Sequence, residues 1–331
     1  TGAPAGHWRA YLDAATAEPL AREQLVRFAT RPGASDVPRR YPLAAREDQP
    51  ASHAALTVDG APTTTDDSGQ VSWNGTAQAA VQTSVTGTFV EVTNAAGDAA
   101  TATLALDPAG SVVWSAPNTE LVDAQLSAYV HAGIVRAHIK AIEPSIPWLD
   151  EQLAVFVNID DQCNAYSDLE SIHFYRAGGG CENTARLADV IYHEYGHTIH
   201  GKGLLPGVGA YESGLSEGLS DYLAATIVDD PAVAPGFFLD GTPLRQIDPF
   251  GYEHLWPDDI GESHTTGLII SGALWDLRTA LADKLGATAG VAHTDYLMFQ
   301  GLRRAVDIPS MYVEVLAADD DDGNLDNGTP N

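Results

Sequence analysis

The run Ala188-Asp189-Val190-Ile191-Tyr192-His193-Glu194-Tyr195-Gly196-His197-Thr198-Ile199-His200 is the part of the chain on which the fold reading turns. Its apolar residues Val190, Ile191 and Ile199, with Leu187 just before it, give a helix one packing face. His193 and His197 stand four apart, so both imidazoles project from the same face, one turn apart, and can reach a single ion. Glu194 projects beside them, placed to touch a metal-bound water without being a ligand. Glu217 comes 20 positions after His197, and Asp221 follows four later on the same face of a second helical pattern. Catalytic zinc takes three protein ligands and keeps one position open. A ligating histidine also turns its other nitrogen to a carboxylate. Glu217 and Asp221 suit these two tasks. The plain alternative is an amphipathic helix with surface histidines.

Outward from this run the pattern is mixed. Upstream, Leu121 to Ile142 is apolar at three- and four-residue steps and stops before Pro144, which predicts a helix. Leu153–Ile159 and Ile172–Tyr175 read as strands, the second closed by the turn at Gly178-Gly179-Gly180. Helices are expected from Thr184 to His200, from about Gly214 to Asp229, and from Thr266 to Leu285. Between Ala51 and Pro117, short alternating runs such as Thr88–Val92, Thr101–Leu104 and Val112–Trp114 are broken by Asp59-Gly60, Ser68-Gly69 and Asn74-Gly75. This predicts a β-rich module, a small antiparallel sandwich without chemistry of its own. Residues 1–50 read as a helix, His7 to Thr30, followed by an extended linker. The expected organisation is therefore 1–50, 51–117 and 118–331, with an α+β class overall.

The spacing His193-Glu194-x-x-His197 then Glu217-x-x-x-Asp221 resembles the gluzincin signature of thermolysin-like zinc metallopeptidases. Ser216-Glu217-Gly218-Leu219-Ser220-Asp221-Tyr222 is also similar in wording to fungalysin-type members. The metzincin pattern fails, because it needs glycine where His200 stands and histidine where Gly203 stands. The resemblance covers about Asn118 to Leu285. It implies a mixed sheet with an edge strand beside the active-site helix, then a helical subdomain. Asn164-Ala165-Tyr166 resembles the family's cleft-lining edge strand, so Asn164 and Ala165 would bind substrate backbone. Leu244-Arg245 resembles the segment whose arginine holds a substrate carbonyl; a surface salt bridge to Asp248 is the competing reading. Asp259 to His264 resembles the stretch in which an aspartate orients an oxyanion-stabilising histidine, with Asp258 a rival to Asp259. Tyr211 is the second candidate oxyanion donor, or a core tyrosine. His200, three after His197, could compete for the metal, but three ligands from one helix strain a tetrahedron, so a core or surface role is expected.

The implied activity is metal-assisted peptide hydrolysis by a secreted endopeptidase. One zinc is held by His193, His197 and Glu217, with Glu194 as general base and Asp221 behind His193. The alternatives are a non-catalytic gluzincin-fold binding protein, or an aminopeptidase. Structural calcium is common among thermolysin-like relatives, and Asp320, Asp322, Asn324 and Asp326 offer oxygen ligands around Gly323. An acidic, solvated tail is the equal alternative.

The whole chain has 331 residues, 45 acidic and 17 basic, a formal charge of −28. Such acidity argues against nucleic acid as partner. No apolar run reaches membrane-spanning length, so a soluble protein acting on peptides, and a monomer, is expected. Thr1 opens without a visible signal peptide, as in a processed or trimmed chain. Cys163 and Cys181, the two cysteines, form an extracellular disulfide on the preferred reading, or stay as buried thiols.

Overall fold

A computed structural model describes residues 8–12, 19–24, 30–73 and 75–325. The chain is α+β. Its first half is strands: β1 (Trp8–Leu12), β2 (Pro19–Gln24), β3 (Thr30–Pro38), β4 (Arg46–Pro50), β5 (Ala54–Val58), β6 (Ala61–Thr64), β7 (Gln70–Ser72), β8 (Ala79–Gly87), β9 (Val90–Asn94), β10 (Thr101–Leu106) and β11 (Val112–Ser115). Helix α1 (Glu120–Ile142) follows, then β12 (Leu153–Ile159), β13 (Ala165–Ser167) and β14 (Ser171–Tyr175). The rest is helical apart from one two-stranded ribbon: α2 (Ala188–Gly203), α3 (Ser213–Val228), β15 (Ala232–Val233), β16 (Arg245–Gln246), α4 (Ser263–Leu285), α5 (Ala287–Leu302) and α6 (Ile308–Asp319). Among the described residues, no helix is long and apolar enough to cross a membrane.

The helix expected over His7–Thr30 is a misreading. Its described parts, β1 and β2, pair with each other as an antiparallel ribbon. The expected linker over 31–50 is also corrected. Strand β3 lies at the centre of a four-stranded sheet, parallel to β11 and antiparallel to β4 and β7. Its partner β11 lies far along the chain, and no local periodicity reports such pairing.

An eight-stranded sheet runs β13-β14-β12-β9-β8-β5-β6, with β10 also on β8. Against the β5, β8 and β10 end, the β3 sheet closes a small core of Val58, Val71, Ala79, Val81, Leu106 and Val112. Residue 117 marks no break in packing, because β12 pairs in parallel with β9 and continues the same sheet. The main core likewise joins Val37, Val85 and Trp114 to α1 and to the α2–α4 helices. Ion pairs cross the same junction. Arg46 on β4 and Arg186 both bond the buried Asp123 of α1, at 2.7 and 2.9 Å. Arg40 grips the buried Asp189 in the first turn of α2, at 2.8 Å.

Two close approaches set the helices that carry the candidate site. Gly196 of α2 backs onto α3, where a Cβ would stand 2.7 Å from Ser220 Oγ. Two residues before Ser220, Gly218 of α3 meets Gly267 of α4 so closely that a Cβ on Gly218 would collide with the Gly267 carbonyl and with Ile270. Glycine at these crossings lets α2, α3 and α4 bring their side chains to one point.

Candidate metal centre

Helix α2 presents His193, Glu194 and His197 to the floor of a cleft of about 800 Å³, and α3 presents Glu217 to the same floor. The two imidazole rings stand nearly perpendicular, their centroids 4.7 Å apart. His193 Nε2 lies 3.1 Å and His197 Nε2 lies 3.6 Å from Glu217 Oε2. Ligand atoms from all three residues fall within 4.8 Å of one another, so the group can hold a metal ion. Two imidazole nitrogens and one carboxylate oxygen are a borderline-soft donor set that suits zinc or a similar divalent ion.

The outer nitrogens are held as well. His193 Nδ1 meets Asp221 Oδ1 at 2.7 Å, and Arg245 clamps both Asp221 oxygens through Nε and Nη2, each at 2.7 Å. His197 Nδ1 lies 2.8 Å from Ser216 Oγ and 3.3 Å from Ser220 Oγ. These contacts fix both rings so that Nε2 of each faces Glu217. Sequence reasoning missed Ser216 and Ser220, although both sit in the quoted Ser216–Tyr222 run, one residue before Glu217 and one before Asp221.

The charged groups of the floor set one another's titration. Burial alone would leave His193 neutral, yet Asp221 and Glu217 outweigh it and hold its pKa up at about 10. Burial and the positive His193 push His197 down to about 3. Burial opposes ionisation of Asp221, but Arg245 and His193 win and keep it well below the usual carboxylate range. Burial likewise opposes charge on Glu217, while His193, His197 and His264 hold it ionised. Glu194 differs. Burial dominates there and lifts it to about 7, with His193 and Arg245 pulling the other way. A carboxyl near neutrality can accept and return a proton, the property a general base needs.

The other predicted residues fall as follows. Asn164 and Ala165 line the cleft, and β13, antiparallel to β14, is the edge strand of the large sheet. Cys163 and Cys181 are joined in a disulfide with Cα atoms 5.3 Å apart. Tyr211 lines the cleft with its ring stacked on His200, centroids 4.0 Å apart. His200 is fully buried, pushed down to about 4 by burial, and lies outside the metal group. Arg245 lines the cleft and bonds Asp221, not Asp248.

His264, at the start of α4, points Nε2 to within 3.4 Å of Glu217 Oε2. Asp259 does not orient it, contrary to expectation. Asp259 accepts from the Tyr252 hydroxyl at 2.5 Å and from the Leu255 amide at 2.8 Å. The partner of His264 Nδ1 is Glu262 Oε1 at 2.6 Å, and this bond draws Glu262 down to about 2. Glu262 also caps α4 by accepting from the His264 amide. Its place just before the helix start was the available signal.

The acidic tail offers a weaker case. Carboxylates of Asp320, Asp321 and Asp322 converge at half-exposed to exposed positions. Asp320 accepts from the Asp322 amide and Asp322 from the Asn324 amide, local bonds typical of a turn. Asp326 lies outside the described residues. Among the described residues the carboxylates of Asp320, Asp321 and Asp322 could hold a metal ion, and no further feature singles out calcium.

No protein-family model matches the chain, and no curated protein matches it. Among solved structures it is similar to the precursor of protealysin, a metalloproteinase from Serratia proteamaculans, with 15% sequence identity and a TM-score of 0.45. That superposition covers 69% of this chain and 80% of the other. So loose a likeness leaves the reading of the site to its own geometry.

Proposed function

We propose that this chain is a secreted, thermolysin-like zinc endopeptidase. The observation that carries the reading is the convergence of His193, His197 and Glu217 from two helices on an open cleft, with Glu194 beside them. His193, His197 and Glu217 would hold the zinc, which when bound polarises a carbonyl and lowers the pKa of water. Glu194, near neutrality, takes a proton from the attacking water and passes it to the leaving nitrogen. Asp221, itself held by Arg245, keeps His193 turned with Nε2 inward.

An extended peptide lies along the edge of β13 as an added strand, bonding the backbone of Asn164 and Ala165. Such backbone recognition admits many sequences and internal positions, which supports cleavage within a chain over trimming from its end. In its protonated form His264 donates from Nε2 to the oxygen that gains charge, and Glu262 holds its ring in place. Tyr211 stands at the same cleft as a second donor, and Nη1 of Arg245 is the arm left for a substrate carbonyl. The disulfide supports an oxidising compartment.

Purified protein should contain about one zinc per chain and should cut an unfolded polypeptide at internal bonds. Chelation should stop the cutting and added zinc should restore it. Products trimmed only from the amino terminus would point to an aminopeptidase. Full zinc with no hydrolysis of any peptide library would point to a binding protein.

A further inference from the structure

The segment between Arg245 and His264 has both ends pinned at the cleft. Arg245 is fixed to Asp221 and His264 lies against Glu217, so the intervening loop rises from the rim of the candidate site. The loop is ordered by its own bonds. Asp259 accepts from the Tyr252 hydroxyl and the Leu255 amide, while its amide donates to the Leu255 carbonyl at 2.9 Å. This ordered loop turns Phe250, Tyr252, Leu255, Trp256 and Ile260 to solvent. They make up five of the 15 exposed large apolar side chains among the described residues, within 11 consecutive positions. Phe250 is fully exposed. Phe238, which lines the cleft itself, is exposed too, and exposed Leu239 follows it. A fold keeps such a concentration of apolar surface in water at a cost, and it marks a contact site.

Charge narrows the occupant. From Asp248 to Glu262 the loop carries five acids, Asp248, Glu253, Asp258, Asp259 and Glu262, and no lysine or arginine. Anionic lipid would be repelled by that set. A second copy meeting the same loop would bring five more acids against it. A polypeptide with apolar and basic side chains satisfies both the aromatic surface and the acids.

We propose that the loop 248–262 is an extension of the substrate-binding surface, taking an apolar and lysine- or arginine-bearing stretch of the same polypeptide whose bond lies in the cleft. This rests on the cleft being a peptidase site, and it names the substrate class: long, unfolded, apolar-basic chains over short peptides.

The test compares one cleavable hexapeptide alone with the same hexapeptide extended by ten residues. The extension alternates leucine or phenylalanine with lysine, or leucine or phenylalanine with glutamate, or is glycine-serine. Wild-type protein and the Phe250→Ser/Leu255→Ser double variant are assayed, with Trp256→Ser as a second, independent variant. The apolar-lysine extension should lower KM by about tenfold in the wild type, an advantage the variants lose while cutting the bare hexapeptide within about twofold of wild type. An extension without effect, or equal losses on the hexapeptide and its extended form, would overturn the proposal. If the hexapeptide is not cut at all, the peptidase reading fails separately. Anisotropy of the labelled apolar-lysine extension on the full chain then decides. Binding lost in the variants upholds a polypeptide surface, and no binding rejects it. A wild-type dimer that the variants convert to monomer would also reject it, showing a contact between copies.

Discussion

The helical floor of the cleft and the strand-rich first half of the molecule share one core but are built on different terms. On the floor, buried charges face each other. His193, Glu217, Asp221 and Arg245 form a continuous bonded chain, and glycines at 196, 218 and 267 bring the helices into contact. In the first half the interior is aliphatic, as in the cluster around Leu106, and its polar side chains serve turns and the junction with α1. Buried unpaired charge is expensive, so a protein keeps it where chemistry requires it. The comparison predicts that changes on the floor alter turnover with little change in stability, while changes in the strand half do the reverse.

The sharpest test is Glu194→Gln. This swap keeps shape but removes the proton acceptor, so turnover should fall by about 10⁴-fold. Zinc content and melting temperature should stay as in wild type. Full activity would remove Glu194 from the chemistry. His264→Ala comes next, with kcat lower by about 10²–10³-fold and KM little changed. Glu262→Gln should reproduce part of that loss on a short peptide, and Asp259→Asn should not. The reverse ranking would restore Asp259 as the orienting residue.

What could be read from the sequence follows the same division. The ligand spacing on α2 and α3 is local, because positions four apart on a helix share a face whatever surrounds them. His193 and His197 were therefore nameable as a pair from spacing alone. Glu217, 20 positions on and on another helix, with Asp221 one turn beyond it, was nameable through the family resemblance. Helices α1, α3 and α4 carried enough periodicity to be placed within a few residues. Strand β3 gave no such sign, since it contains Pro32 and Gly33 and takes partners on three strands, one of them some 80 positions away. Helices α5 and α6 are absent from the sequence reading, although Asp307 and Ser310 form a capping box at the start of α6. The mistake over Asp259 has a plain cause. Within Asp258-Asp259-Ile260-Gly261-Glu262 three carboxylates compete, and only the fold decides which one turns toward His264.

From the other side, Leu106→Ala tests the comparison. Leu106 is wholly buried in the small strand core, and removing its side chain should cost about 2–5 kcal/mol of stability. Turnover of a short peptide per folded molecule should not change. A drop in kcat would mean that the small strand core shapes the site directly.

The smallest effect lies at the junction itself. His131 of α1 is buried between the halves, with Nε2–H donating to the Pro38 carbonyl at 3.0 Å and Nδ1 accepting from the Tyr192 hydroxyl at 2.8 Å. Tyr192 directly precedes His193, so this ring couples β3 to the helix that carries His193 and His197. Burial pushes His131 down to about 4, with the Pro38 carbonyl and Asp123 only partly opposing it. In the unfolded chain the same group titrates near 6.5. Below about pH 6.5 the unfolded state therefore takes up a proton that the folded state refuses. The contribution is complete above about pH 6.5 and declines as pH falls toward about 4, by up to about 3 kcal/mol. His131→Gln can keep a donor and an acceptor but cannot titrate, so its stability curve should be flatter across that window. His200, also pushed down by burial, titrates alike in both proteins and cancels from the difference. Parallel curves for wild type and variant would show that the junction does not sense pH through this ring.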